Sequence, residues 1–142
     1  MPTYSSKQYA NSPNAGVGAT PGNVMAFYWE ITTTAALTTS DPLVFGVVPK
    51  GFRVLSAVLE ATDQDSGTTV TLNIGDAGDA DRLFAASTVA QAGTADRAMA
   101  VTGQNYLYTA DTIITGVAAA GPATSTGTIA LALIGRFEGT AS

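Results

Sequence analysis

The 142-residue sequence contains no cysteine and no histidine, and only 12% of it is charged. Without cysteine there is no disulfide framework and no thiolate nucleophile, and without histidine the usual acid–base group at neutral pH is missing. The same absences remove the side chains that hold most transition metals. Basic residues are scarce too: Lys7, Lys50, Arg53, Arg82, Arg97 and Arg136 are scattered along a chain with eleven acidic residues. Scattered cations make no stripe that could follow a phosphate backbone, so direct nucleic-acid binding is not expected. No apolar run reaches the roughly 18 residues of a membrane span. The opening MPTYSSKQYANSP is polar, unlike a secretory signal. The expectation is synthesis in the cytoplasm with no membrane partner.

What is abundant is small. The sequence has 25 Ala, 21 Thr and 15 Gly, so its 46% hydrophobic content is carried largely by alanine. Burial energy scales with apolar area, which predicts a modest core. The length suits one domain. Residues 1–23 contain Pro2, Pro13 and Pro21 with Gly16, Gly18 and Gly22, and read as an extended N-terminal arm unable to fold alone. Tyr4, Lys7, Tyr9 and Val17 are its candidate anchors on a partner. Residues 24–142 then form a single β-sandwich domain.

Periodicity supplies the fold class. Met25, Phe27, Trp29 and Ile31 alternate with Ala26, Tyr28, Glu30 and Thr32, the period of a half-buried strand. Leu43 to Val48 follows a turn at Ser40-Asp41-Pro42, and Pro49-Lys50-Gly51 separates it from a long run starting at Phe52. In that run Val54, Ser56, Val58 and Glu60 are expected on one face and Leu55, Ala57, Leu59 and Ala61 on the other. The cluster Asp63 to Gly67 reads as a polar turn, with Val70, Leu72 and Ile74 as the hairpin partner beyond it. A short helix over Ala80 to Ser87, capped by Asp79, is the one helical prediction. Further strands are expected around Ala98 to Val101, Tyr106 to Thr109, Thr112 to Val117 and Thr128 to Glu138. About eight strands at short spacing, rich in Thr and Val, predict an all-β β-sandwich or jelly-roll-like barrel.

Few residues could carry chemistry. Asp76, Asp79 and Asp81 lie on the glycine-rich stretch Gly75-Asp76-Ala77-Gly78-Asp79-Ala80-Asp81-Arg82, where carboxylate oxygens could wrap a hard cation. Their spacing is not that of an EF-hand. The alternative is that Asp76 and Asp79 close turns through their own backbone, while Asp79 or Asp81 pairs with Arg82 or Arg97. Glu30, Glu60 and Glu138 could run glycosidase chemistry only if their environments split their pKa values, and a solvated sheet face suits them better. Serine has no histidine to activate it, and no phosphate-cradling loop is present. Trp29 and Phe27 read as core, with Tyr28 exposed on the opposite face. No catalytic residue, cofactor or small-molecule substrate is expected.

A small, acidic, Ala/Thr/Gly-rich chain with a Pro/Gly arm, then Val70-Thr71-Leu72-Asn73-Ile74-Gly75-Asp76, then Ala80-Asp81-Arg82-Leu83-Phe84, resembles the capsid decoration (cement) proteins of tailed bacteriophages. The resemblance covers roughly residues 43 to 138. It implies a structural virion protein, commonly a homotrimer, that binds the major capsid protein on the outer surface of the capsid and stabilises the shell across subunit seams. It carries no catalytic residues over. Two other readings share the composition: a fibre, neck or tail subunit, or a carbohydrate or host-surface binding module. The last predicts an exposed aromatic cluster around Tyr28, Tyr106 and Tyr108.

Overall fold

The computed structural model describes residues 3–6 and 24–138. These residues form an all-β sandwich. The first sheet holds, in spatial order, β1 (Tyr4–Ser5), β3 (Leu43–Val48), β8 (Thr112–Ala120), β5 (Thr71–Gly75) and β6 (Phe84–Ser87). The second holds β2 (Val24–Thr32), β9 (Thr128–Phe137), β4 (Phe52–Ala61) and β7 (Ala95–Asp96). All pairings are antiparallel except that of β1 with β3. Between the sheets lies one core, in which Ile31, Phe45, Phe52, Leu59, Leu72, Ile74, Ile114 and Ile129 are fully buried. Each large side chain removed from water contributes about 1.5–3 kcal/mol, so these few offset the poverty of an alanine-rich sequence.

The alternation of β2 is as the sequence predicts. Trp29 and Ile31 are buried, Phe27 stacks on Trp29 at 5.2 Å, and Tyr28 is exposed. Trp29 crosses the sandwich to lie on Gly46 of β3, where a Cβ would collide with the indole. Only glycine permits that approach.

Five expectations are corrected. In β4, a bulge between Val54 and Ser56 shifts the register against β9, so Phe52 and Val54 point inward, Leu55 is exposed, and Ala57 and Leu59 point inward again. One extra residue on a bulged strand reverses which parity faces the core. Secondly, β5 is not the hairpin partner of β4; it pairs with β8 and β6 in the opposite sheet. The linker between them is no solvated turn, since Gln64 and Asp65 are both buried. Asp65 accepts backbone N–H groups from Gly67, Thr69 and Val70 and thereby turns the chain from one sheet to the other.

Thirdly, no helix spans Ala80 to Ser87. Leu83 and Phe84 are buried, but their backbone joins the ladder of β5, through Leu83 N–H to Ile74 and the Ile74–Phe84 pair. The short helix α1 occupies Val89–Ala92 instead and ends at Gly93 in the left-handed conformation. Fourthly, Ala98 to Val101 is not a strand; Val101–Gly103 is a single 3-10 turn. Tyr106 to Thr109 is held by backbone hydrogen bonds to Phe52 and Val54, with one bridge at Leu107. Lastly, the arm reading fails at Tyr4. Its ring is buried in the chain's own core and its backbone pairs with Leu43, while Ser6 donates its hydroxyl to Phe45 O. A parallel pairing at the sheet edge gives these residues the hydrogen-bond partners that a free arm lacks. Lys7, Tyr9 and Val17 lie outside the described residues.

Candidate functional site

The aspartate-rich stretch leaves β5 at Gly75. Gly75 is paired with Thr115 and shares its outward face, and the backbone of Asp79 and Ala80 folds directly over it. The loop over residues 76–82 therefore stands as a ridge on the outer face of the first sheet. Asp76 anchors it. One carboxylate oxygen accepts the N–H of Gly78 at 2.9 Å and of Asp79 at 3.1 Å. Arg82 closes the loop with a two-pronged pair, Nε to Oδ2 at 2.7 Å and Nη2 to Oδ1 at 3.2 Å. Tyr108 donates its hydroxyl to Oδ2 at 3.1 Å, and Tyr106 lies beneath the guanidinium at 3.8 Å.

These contacts fix the charge states. Burial pushes the Asp76 carboxyl upward, but Arg82, Tyr108 and the Gly78 N–H outweigh it and hold the group below the usual carboxylate range. Burial, with the neighbouring Asp76 charge, raises the Tyr108 phenol. Asp76 is thus an ionised, fully engaged acceptor. Its partner is Arg82, not Arg97, and it is Asp76 rather than Asp79 or Asp81 that takes the arginine. Asp79 accepts the Asp81 N–H at 3.4 Å, a turn contact of the kind expected, but no helix follows. Among the described residues no three acidic side chains converge as a metal site. The ring of Tyr108 is buried and Tyr106 is covered by Arg82, so Tyr28, Tyr106 and Tyr108 do not form the exposed aromatic cluster that sugar binding would use.

Two grooves flank the ridge. One, of about 650 Å³, runs between the ridge and the Tyr106 to Ile113 segment; the other, of about 370 Å³, lies between Ala80, Pro42 and Val117. Their floor is the outer face of β3 and β8, where Val44, Ile113, Thr115 and Val117 are partly or fully exposed. Asp76, Arg82 and Asp111 also line the larger groove. The second sheet also turns an apolar strip outward, with Tyr28, Ala132 and Val58 in register across β2, β9 and β4. Glu60 is exposed beside it, and Glu138 lies between Arg53 and Arg136 at 2.6 and 2.5 Å. Sequence reasoning missed the Arg82–Tyr106–Tyr108 cluster around Asp76, because the two tyrosines lie 24 or more residues beyond Asp76 and Arg82 and no spacing rule joins them.

Two solved structures resemble this chain over nearly its whole length. A chain of the capsid asymmetric unit of cyanophage Pam1 is 36% identical with a TM-score of 0.72, the match covering 90% of this chain and 95% of that one. This protein belongs to the same family of phage capsid components. A chain from the capsid of Ralstonia phage GP4 matches this capsid component with 29% identity and a TM-score of 0.77 over 98% of this chain and 99% of that one. No family model and no curated protein matches it. A structural role in the virion follows.

Proposed function

We propose that this capsid component is a decoration protein: a homotrimer that binds the major capsid protein on the outside of the shell and reinforces the seams between subunits. It is made in the host cytoplasm and performs no catalysis. The observation that carries the reading is the relationship to chains of two phage capsids, joined to a small fold that presents apolar sheet faces and a polar network already closed on itself. Closed ion pairs position backbone: Asp76 is engaged by Arg82, and Glu138 by Arg53 and Arg136. A protein that grips several shell subunits at once gains avidity, because each later contact forms intramolecularly.

The test is to add the purified protein to shells of its phage assembled without it. Saturable binding at the outer surface, with raised resistance of the shells to heat or internal pressure, is the expected result. Shells that bind none of it, or that carry it only on the inner surface or at the tail vertex, refute the decoration role.

A further inference from the structure

The outer face of the second sheet is ordered in rows across β2, β9 and β4, because residues in register on an antiparallel ladder share a face. The row at one end joins Arg136 and Arg53; the row at the other joins Glu30 and Glu60 across Ala130. The two rows between them are uncharged and include Ile134, Tyr28 and Val58. Val24 and Tyr28, 68% and 53% exposed, are on this face, and Leu55 is exposed at the bulge of β4. We propose that this face is a contact between two copies of the chain, packed sheet on sheet about a twofold axis running across the strands, with the arginine end of each copy over the glutamate end of the other. The inference goes beyond the decoration reading and stands without it, since the same contact joins two single chains or two trimers.

The charge pattern selects both the occupant and the symmetry. A twofold contact sets one patch against itself, so the patch must complement its own rotated copy. Rotation about an axis across the strands reverses the order of the rows. Arg53 then faces Glu60 on the same strand of the other copy, Arg136 faces Ala130 between the two glutamates, and the uncharged rows cover one another. An axis along the strands would instead keep each row over itself, Arg136 on Arg136 and Glu30 on Glu60, a repulsive arrangement. Among the described residues, Arg53 and Arg136 share the one carboxylate of Glu138, so their end keeps a surplus of positive charge for the facing glutamates. The face is three strands wide and nine or ten residues long, roughly 15 Å by 30 Å. That is at the small end of specific protein contacts and sets the expected dissociation constant in the micromolar range.

The experiment is sedimentation velocity on the full-length protein over about 1 to 300 µM, a range that brackets a micromolar dissociation constant. The parent is expected to reach an even number of copies, two for single chains or six for trimers. Glu60→Arg and Arg136→Glu each set like charges over one another at both ends of the contact and are expected to associate roughly tenfold more weakly. An equimolar mixture of these two variants is expected to associate nearly as the parent does, because each offers the charge that the other lacks; a variant that had merely misfolded is not rescued by its complement. Tyr28→Ser, in the middle of the face, is expected to weaken association by roughly tenfold or more. Ile113→Asp, on the opposite sheet, keeps the even copy number. A parent that stays at one or three copies over the whole range overturns the contact, and so does a mixture that associates no more tightly than either variant alone. Unchanged association of Tyr28→Ser, or loss of it in Ile113→Asp, places any contact elsewhere and overturns this one. None of these results bears on binding to shells, which decides the decoration reading separately.

Discussion

Asp76 ties the two sheets together at one end, because Arg82 follows it on the first sheet's loop while Tyr108 belongs to the segment hydrogen-bonded to β4 of the second. Replacing it by alanine strands two groups. Arg82, whose side chain is 13% exposed, loses both its charged hydrogen bonds, and the buried Tyr108 hydroxyl loses its acceptor. The Gly78 and Asp79 amides sit on an exposed loop, where water substitutes. An unpaired buried hydroxyl costs about 1–3 kcal/mol, and removing one partner of a buried ion pair costs about 3–5 kcal/mol; partial access of water to Arg82 puts the total near the lower end, about 4 kcal/mol. At about 2.1 cal/mol/K per residue the melting entropy of a chain this long is about 0.3 kcal/mol/K, so Asp76→Ala lowers Tm by about 13 °C. Tyr108→Phe, which deletes only the hydroxyl, lowers it by about 3 °C on the same arithmetic. The assay is thermal unfolding followed by near-UV circular dichroism at one protein concentration. Adding Arg82→Ala to Asp76→Ala recovers part of the loss, since the stranded cation is then gone. An Asp76→Ala shift no larger than that of Tyr108→Phe refutes the clamp.

The clamp also has a pH signature. Asp76 has a folded pKa below its unfolded one, so its contribution is complete above the ordinary carboxylate value and is lost as pH falls through the folded value; Asp76→Asn flattens Tm against pH below about 4. Glu138 follows the same sign. Held by Arg53 and Arg136, its pKa falls from 4.5 to about 2, and a carbon-detected NMR titration is expected to place its midpoint there, returning toward 4.5 in Arg53→Ala. Gly46→Ala forces the Trp29 indole out of its seat, destabilises by about 1–3 kcal/mol and red-shifts tryptophan emission. Ala86, with a φ of 52°, sits in the left-handed region on an exposed site, so Ala86→Gly raises Tm by a few degrees, read by the same melting assay.

The legible part of the fold is the part that alternates without interruption. Met25 to Thr32 alternates as expected, with Trp29 and Ile31 buried and Tyr28 exposed, and Thr128 to Phe137 is a strand where one is expected. Parity fails at Leu55 because a bulge leaves no mark in composition: Val54-Leu55-Ser56-Ala57 reads equally well in either register, and only the pairing with β9 decides. The Leu83-Phe84 pair was ambiguous for a related reason. Two adjacent apolar residues fit a helix face or a strand entering the core from a loop, and the choice was made by the unpaired edge of β5, a feature of the other strand.

For the site, the sequence indicates where but not what. The glycine–aspartate stretch attracts attention as a cation loop because its carboxylates are close in sequence, yet the fold spends Asp76 inward on Arg82 and Tyr108 and leaves Asp79 and Asp81 facing out. That division cannot be read locally, since Tyr108 arrives from 32 residues away. Asp76 therefore holds the loop from within, through the Gly78 and Asp79 amides and Arg82. Amide hydrogen exchange over residues 76–82 is expected to speed up in Asp76→Ala and to stay near the parent rate in Asp81→Asn, and equal exchange in the two variants would refute the anchor.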